Sequence, residues 1–550
     1  MSDILTAKYD TVIVGSGAAG IVGGITAAKR GLRPLIIEKS STWGGTSSYS
    51  GGALWIPSNH LQIRDGEDDS VEDALAYLRE CVPDEGPSTS EARQRAFLEN
   101  APRMLKFLCE EGAGLIREPT QPDYSSTPHS RAGRCIDPVI FNSKSLGKLA
   151  SAQRLYPGDV YAVSIGELPM VGQGLSTWPG ISMMLKVGLR HKLSKLFGKA
   201  LLGMGSALVA QLMNVAQRLS VPLVLDCRLK RLVIEEGRVT GIDCEYEGRT
   251  VRVKAPSGVL LCTGGFAHAP AYRQVYQKVD GAWSSASSDD TGDAVGIAEE
   301  IGADIALMDA AWWGCSVIYP GGVPGFTLTE RSMPGSIIVD GAGRRFANES
   351  QNYNSLGLEM RRVNANPAWL IIDSRHRNRY RFGLMLPGRT PKALIDAGFF
   401  IRADSIEELA RRCAIDSTTL CKTVKTFNDR ARYGEDPEFN RGKSPYENHW
   451  GDPSNKPNPN LGPVEKSPFL ATRVYPGDLG TRGGFLTDPV GRVTKDGKPI
   501  EGLYASGNST ASIFGKGYPG AGSTLAPAMT FAFLAMEDAA RRRIDLSPAH

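Results

Sequence analysis

Thr11-Val12-Ile13-Val14-Gly15-Ser16-Gly17-Ala18-Ala19-Gly20 is followed by small residues as far as Lys29, and then by Pro34-Leu35-Ile36-Ile37 ending at Glu38. A short apolar, β-branched run bounded by glycine reads as a buried strand. Ala18 to Lys29 reads as a helix that Gly31 stops, and Pro34–Ile37 as a second buried strand. The first forty residues thus predict one complete βαβ unit. Gly15 permits a tight turn, Gly17 lets the backbone approach a pyrophosphate, and Gly20 lets helix and strand pack closely. The amides that open the helix, in Ser16, Gly17, Ala18 and Ala19, face a phosphate. Glu38, with Lys39 beside it, stands where a ribose hydroxyl pair is held. A second string of the same form, Gly515 to Gly520, carries Pro519 and follows no strand, so it does not build the same device.

The glycine pattern alone does not separate a nicotinamide from a flavin dinucleotide. The stretch after Glu38 does: Gly44-Gly45-Thr46-Ser47-Ser48-Tyr49-Ser50-Gly51-Gly52 can fold around a second phosphate and a bulky ring system. Two later strand–turn elements, Thr263-Gly264-Gly265 and Ser506-Gly507-Asn508, close a pocket from distant parts of the chain. The expected cofactor wall also takes in Leu229, Thr524 and Leu525.

Outward from this unit, the 550 residues are 41% hydrophobic and 22% charged, which excludes disordered, collagenous and coiled-coil chains. A net charge of +4 is too balanced for a nucleic-acid binder by charge alone. Residues 286–465 lose the βαβ rhythm and are rich in Trp, Arg and Pro. They read as an inserted α+β catalytic domain, within an α/β FAD-binding Rossmann-like domain made of residues 1–285 and 466–550. Nine scattered cysteines without metal-ligand spacing fit reduced thiols in a cytoplasmic protein. Met1 to Asp10 holds no secretory signal. The uncharged run between Lys199 and Arg218 contains Gly203, Gly205, Gln211 and Asn214, a poor membrane span.

Several further motifs carry a resemblance: Trp43-Gly44-Gly45-Thr46-Ser47, Ala311-Trp312-Trp313-Gly314, Pro334 to Val339, Arg345 to Ser350, Tyr475 to Thr481, and Tyr518-Pro519-Gly520-Ala521-Gly522. Together they span nearly the whole chain, which resembles the flavoprotein superfamily of fumarate reductase and, most closely, the 3-ketosteroid Δ1-dehydrogenases. The resemblance implies FAD held without a covalent bond, since no His stands at Thr46 or its neighbours. It also implies 1,2-desaturation of a 3-ketosteroid: a C2 proton leaves and a C1 hydride goes to flavin N5. The weakly acidic α-proton demands donors aimed at the carbonyl oxygen and a base at the carbon. The family's donors match Tyr518 and the N–H of Gly522, in a loop just before a helix start. Its base matches Tyr353, with Tyr319 as the rival, and its assisting phenol matches Tyr124. Gln351-Asn352 precede Tyr353 where relatives often carry proline. Pro334 stands where fumarate reductases place a proton-donating arginine, which argues against a dicarboxylate substrate.

A cationic amphipathic stretch from 182 to 215 is a candidate for peripheral contact with the inner face of a membrane. A quinone-type acceptor is expected to reoxidise the flavin, since no second dinucleotide site is visible. Desaturation at C4–C5 of a 5α-3-ketosteroid, or of another ketone, is the alternative chemistry. A non-catalytic FAD-stabilised lipid carrier is the alternative class. No metal site and no nucleic-acid partner are expected.

Overall fold

The βαβ unit forms as predicted. In the computed structural model, which describes residues 2–155 and 162–546, strands Thr11–Val14 and Pro34–Ile37 lie parallel, Thr11 opposite Pro34 and Val14 opposite Ile37. Every residue of both strands is buried, which is why neither alternates polar with apolar. The sheet extends on both sides. Val259–Leu261 and then Lys498–Ala505 join in parallel, Arg492–Lys495 closes that edge as an antiparallel hairpin, and Leu223–Val224 closes the other.

The register fixes the site. Val14, Leu261 and Ala505 lie in one row across three strands. The turns that follow them, at Gly15, Cys262–Gly264 and Ser506–Asn508, therefore emerge side by side at the carboxyl edge, where open α/β sheets bind ligands. Gly15 turns there with φ +105°, and a Cβ on it would fall 2.2 Å from the Cys262 carbonyl oxygen. A Cβ on Gly20 would fall 1.9 Å from the Gly15 carbonyl oxygen. Helix Ala18–Lys29 packs against helix Leu525–Leu546, which places Ala526, Met529, Ala532 and Met536 in the same core as Ile21 and Ile25.

A second, antiparallel sheet orders strands Val323–Phe326, Ala311–Tyr319, Phe469–Thr481, Ala368–Ile372 and Ser336–Val339, with Ile401–Ala403 paired to the long third strand. An α+β unit is thus inserted into the dinucleotide fold. Its sheet membership does not coincide with boundaries at 285/286 and 465/466. Helix Asp293–Ile301 buries Ala294, Ile297 and Ala298 in the core of the first sheet. Phe469–Thr481 belongs to the second sheet, so that unit reaches Thr481; Pro476 and Gly477 within the strand hide it from a propensity reading.

The stretch 182–215 is not one element either. Helix Trp178–Leu196 lies at the surface. Helix Met204–Arg218 is buried from Gly205 through Met213 and packs on helix Ala18–Lys29. Its lack of charge reflects a core position covered on all sides. Among the described residues, no helix is long and apolar enough to cross a membrane.

Candidate active site

A cavity of about 480 Å³ runs from the glycine turn at Gly15 to a cluster of tyrosines. Its first part is walled by Gly15, Ser16, Gly17, Ala18 and Ala19, with Glu38 and Lys39 beside them. Gly45, Thr46, Ser47, Gly51 and Gly52 line the next part; Leu229, Thr263, Gly264, Gly507, Asn508, Thr524 and Leu525 complete it. Gly20 stays off the wall, consumed in packing against Gly15.

The residues fit a dinucleotide with a flavin ring. A Cβ on Gly45 or Gly507 would meet no protein atom nearer than 3.6 Å, so at these points the bare backbone faces ligand space. The Glu38 carboxylate is oriented by the Ser16 amide (3.0 Å), the Ser16 hydroxyl (2.6 Å) and the Ser40 amide (3.1 Å). The Ala18 amide donates to Ser47 Oγ at 3.1 Å, which ties the first glycine turn to the second run. FAD bound here would rest its pyrophosphate on the helix that begins at Ala18.

Part of this wall escaped the sequence reading. Arg154, Ser287, Asp289 and Asp290 also line the cavity. Arg154 donates to Ser287 Oγ and Ser40 Oγ, both at 2.8 Å, and to Asp289. Thr46 Oγ1 donates to the buried Asp290 carboxylate at 3.0 Å and accepts from the Ser287 amide at 2.9 Å. Burial pushes the Asp290 carboxyl up to about 7. The available signal was Ser287-Ser288-Asp289-Asp290-Thr291-Gly292, a second small, hydroxyl-rich run just before a helix.

At the other end, Tyr124, Tyr353 and Tyr518 share one wall and are buried. The Tyr124 and Tyr518 rings stack at 5.2 Å between centroids, and Tyr353 stands edge-on to both, at 5.5 Å and 5.0 Å. The Tyr124 hydroxyl donates to the Tyr353 hydroxyl at 3.4 Å. Burial pushes all three phenols up, Tyr124 and Tyr353 well above the ordinary tyrosine value. A hydrogen bond with Tyr353 and the Arg482 guanidinium hold Tyr518 back from the full rise.

The loop that carries Tyr518 is anchored from outside. The Pro519 carbonyl accepts from the Tyr124 amide at 2.9 Å and from the Tyr77 hydroxyl at 2.7 Å. Gly522 turns with φ +99°, and a Cβ there would fall 2.4 Å from the Leu54 Cα. Its position on the cavity wall precedes helix Leu525–Leu546, where first-turn amides lack helical partners. Tyr319, the rival base, is not on the wall; its ring stacks on Phe399 at 4.6 Å. Pro334 is likewise absent from the wall, whose outer part includes Leu328, Glu330, Arg381 and the exposed Leu384.

Residues 10–525 match the FAD binding domain family. The chain is 40% identical to 3-oxosteroid 1-dehydrogenase of Mycobacterium tuberculosis, over 96% of this chain and 97% of that one. It is 36% identical to 4-oxocyclohexanecarboxylate 2-dehydrogenase of Sinomonas cyclohexanicum, over 96% and 92%. The crystal structure of 3-ketosteroid Δ1-dehydrogenase from Sterolibacterium denitrificans, in complex with 1,4-androstadiene-3,17-dione, superposes with a TM-score of 0.92. The two are 36% identical, over 97% of this chain and 100% of that one. FAD is the cofactor of this fold. The chain belongs to the FAD binding domain family, in the group of flavoproteins that includes the 3-oxosteroid 1-dehydrogenases.

Proposed function

We propose that this chain is an FAD-dependent 3-ketosteroid Δ1-dehydrogenase, which removes hydrogen across C1–C2 of the steroid A ring. The observation that carries the reading is the sharing of one cavity wall by Tyr518, Gly522 and the Tyr124–Tyr353 pair. Tyr518 and the Gly522 amide hold the C3 carbonyl oxygen and stabilise the enolate character that develops on it. Tyr353, ionised, takes the C2 proton and becomes a neutral phenol, and the hydroxyl of Tyr124, which donates to it, stabilises the phenolate before the transfer. Bound FAD, held without a covalent link, supplies the acceptor for the hydride from C1.

The aromatic and aliphatic wall suits an apolar polycyclic ketone, since few polar groups there need a partner. A smaller ring is the second reading, favoured by the likeness to the oxocyclohexanecarboxylate enzyme. Product analysis distinguishes them. Incubation with 4-androstene-3,17-dione and with 4-oxocyclohexanecarboxylate, each with an artificial electron acceptor, is expected to desaturate the steroid at C1–C2. Turnover of the monocyclic acid alone would overturn the steroid assignment.

Two partners belong to the same reading. A quinone reoxidises the flavin, and the surface helix Trp178–Leu196 rests on anionic lipid. Met183 and Val187 face inward from that helix, whereas Trp178 (81% exposed), Leu185 (69%), Leu189 (57%) and Leu196 (76%) share the outer side. Spacings of four and seven put Leu185, Leu189 and Leu196 on one stripe, and exposed Lys192, Lys195 and Lys199 accompany it.

A further inference from the structure

Arg482 follows the long strand Phe469–Thr481 and is fully buried without a carboxylate partner among the described residues. Its Nη1 donates at 2.8 Å to the carbonyls of Gly515 and Gly517, and its Nη2 donates at 2.6 Å to Asn354 Oδ1. Asn354 completes the bridge, its Nδ2 donating to the Lys516 carbonyl at 3.1 Å. The guanidinium sits 4.0 Å from the centroid of the Trp312 ring, and that ring meets Tyr518 edge-on at 5.2 Å. A buried cation without a paired anion is costly, and burial pulls Arg482 down to about 9. The bonds it makes join the loop immediately before Tyr518 to the residue immediately after Tyr353.

We propose that Arg482 is a positioning residue for the desaturation. With Asn354 it clamps the loop bearing Tyr518 to the helix bearing Tyr353, and its uncompensated charge favours negative charge on Tyr353 and on the substrate oxygen that Tyr518 holds. The inference rests on the functional reading above. The other ionisable groups turned toward the two phenols are Tyr124 and Tyr446; Arg331 reaches Tyr446, and the field of Glu85 reaches Arg482. None of these offsets the guanidinium through an ion pair. Clamp and charge are separable, because Asn354 contributes to the first and not to the second.

The test uses three FAD-loaded variants, Arg482→Met, Arg482→Lys and Asn354→Ala, with FAD content and melting temperature measured for each. The pH profiles of kcat and KM with a 3-ketosteroid are the readout. Arg482→Met is expected to lower kcat by about a hundredfold and to move the rising limb of kcat up by about one pH unit. Arg482→Lys returns the limb to its wild-type place without recovering the full rate. Asn354→Ala lowers kcat by about tenfold with the limb unmoved. KM changes by less than about threefold throughout. An FAD-loaded Arg482→Met with wild-type kcat and limb would overturn the proposal. Should that variant not fold, a displaced limb in Arg482→Lys, or unchanged kcat in Asn354→Ala, overturns it equally. Wild-type protein that turns over no 3-ketosteroid removes the functional reading, and this inference falls with it.

Discussion

The hydroxyl of Tyr124 donates to the hydroxyl of Tyr353 across 3.4 Å, joining a loop of the dinucleotide domain to the first residue of a helix in the inserted unit. Burial holds both phenols well above the ordinary tyrosine value, and the hydrogen bond that Tyr124 donates offsets part of that penalty for a phenolate at Tyr353. That arrangement suits a base that must work on a weakly acidic carbon inside a dry wall.

Tyr353→Phe is therefore expected to lower kcat by roughly 10²–10⁴ with FAD content unchanged. Tyr124→Phe costs less, because a base remains. The double variant is about as slow as Tyr353→Phe alone, since the two act as a unit. Steady-state kinetics on the three proteins checks this; additive losses would contradict it.

Gly522 turns through a positive φ, with the space of its absent Cβ taken by the backbone of Ala53 and Leu54. Gly522→Ala is expected to destabilise the fold by about 1–3 kcal/mol and to lower kcat through displacement of the donor amide. Urea denaturation followed by tryptophan fluorescence, run beside the kinetics, measures both.

The raised tyrosines carry a pH consequence. Unfolded phenols ionise near ~10, whereas buried Tyr124 and Tyr353 keep their protons to well above that value. Above this point the folded state binds more protons than the unfolded one, so stability falls as pH rises. Urea midpoints are expected to hold up to about pH 10 and decline beyond it, with a shallower decline in Tyr353→Phe.

The surface helix gives a separate test. Leu185 and Leu189 are exposed, so Leu185→Glu/Leu189→Glu should leave the melting temperature within a few degrees of wild type. It should abolish cosedimentation with phosphatidylglycerol vesicles, to which the wild type binds and from which salt releases it. Equal binding by both proteins would retire the membrane contact.

Much of this was legible in the sequence because local rules coincide with the fold. The βαβ unit is readable since all four residues of each strand are buried and Gly15 and Gly20 each stand where a Cβ would strike backbone. Tyr124, Tyr353 and Tyr518 were legible through motif likeness alone; no periodicity places three residues so far apart in sequence on one wall. Residues 466–550 read as part of the FAD-binding domain, and the strand Phe469–Thr481 within them pairs in the second sheet; a strand's partners are nonlocal, and Pro476 argues against a central strand. Arg482 carries no such local signal, for a related reason. A buried charge looks like a surface charge until its surroundings are known.

The central claim is that a 3-ketosteroid, held at its carbonyl by Tyr518, delivers hydrogen to the bound flavin. Anaerobic stopped-flow mixing of the FAD-loaded protein with 4-androstene-3,17-dione tests it most directly. The account predicts rapid bleaching of the visible flavin band, none with succinate, and bleaching slowed by about 10²–10³ in a Tyr518→Phe variant that retains its FAD. Bleaching by succinate instead of the steroid, or an unslowed Tyr518→Phe, would contradict it.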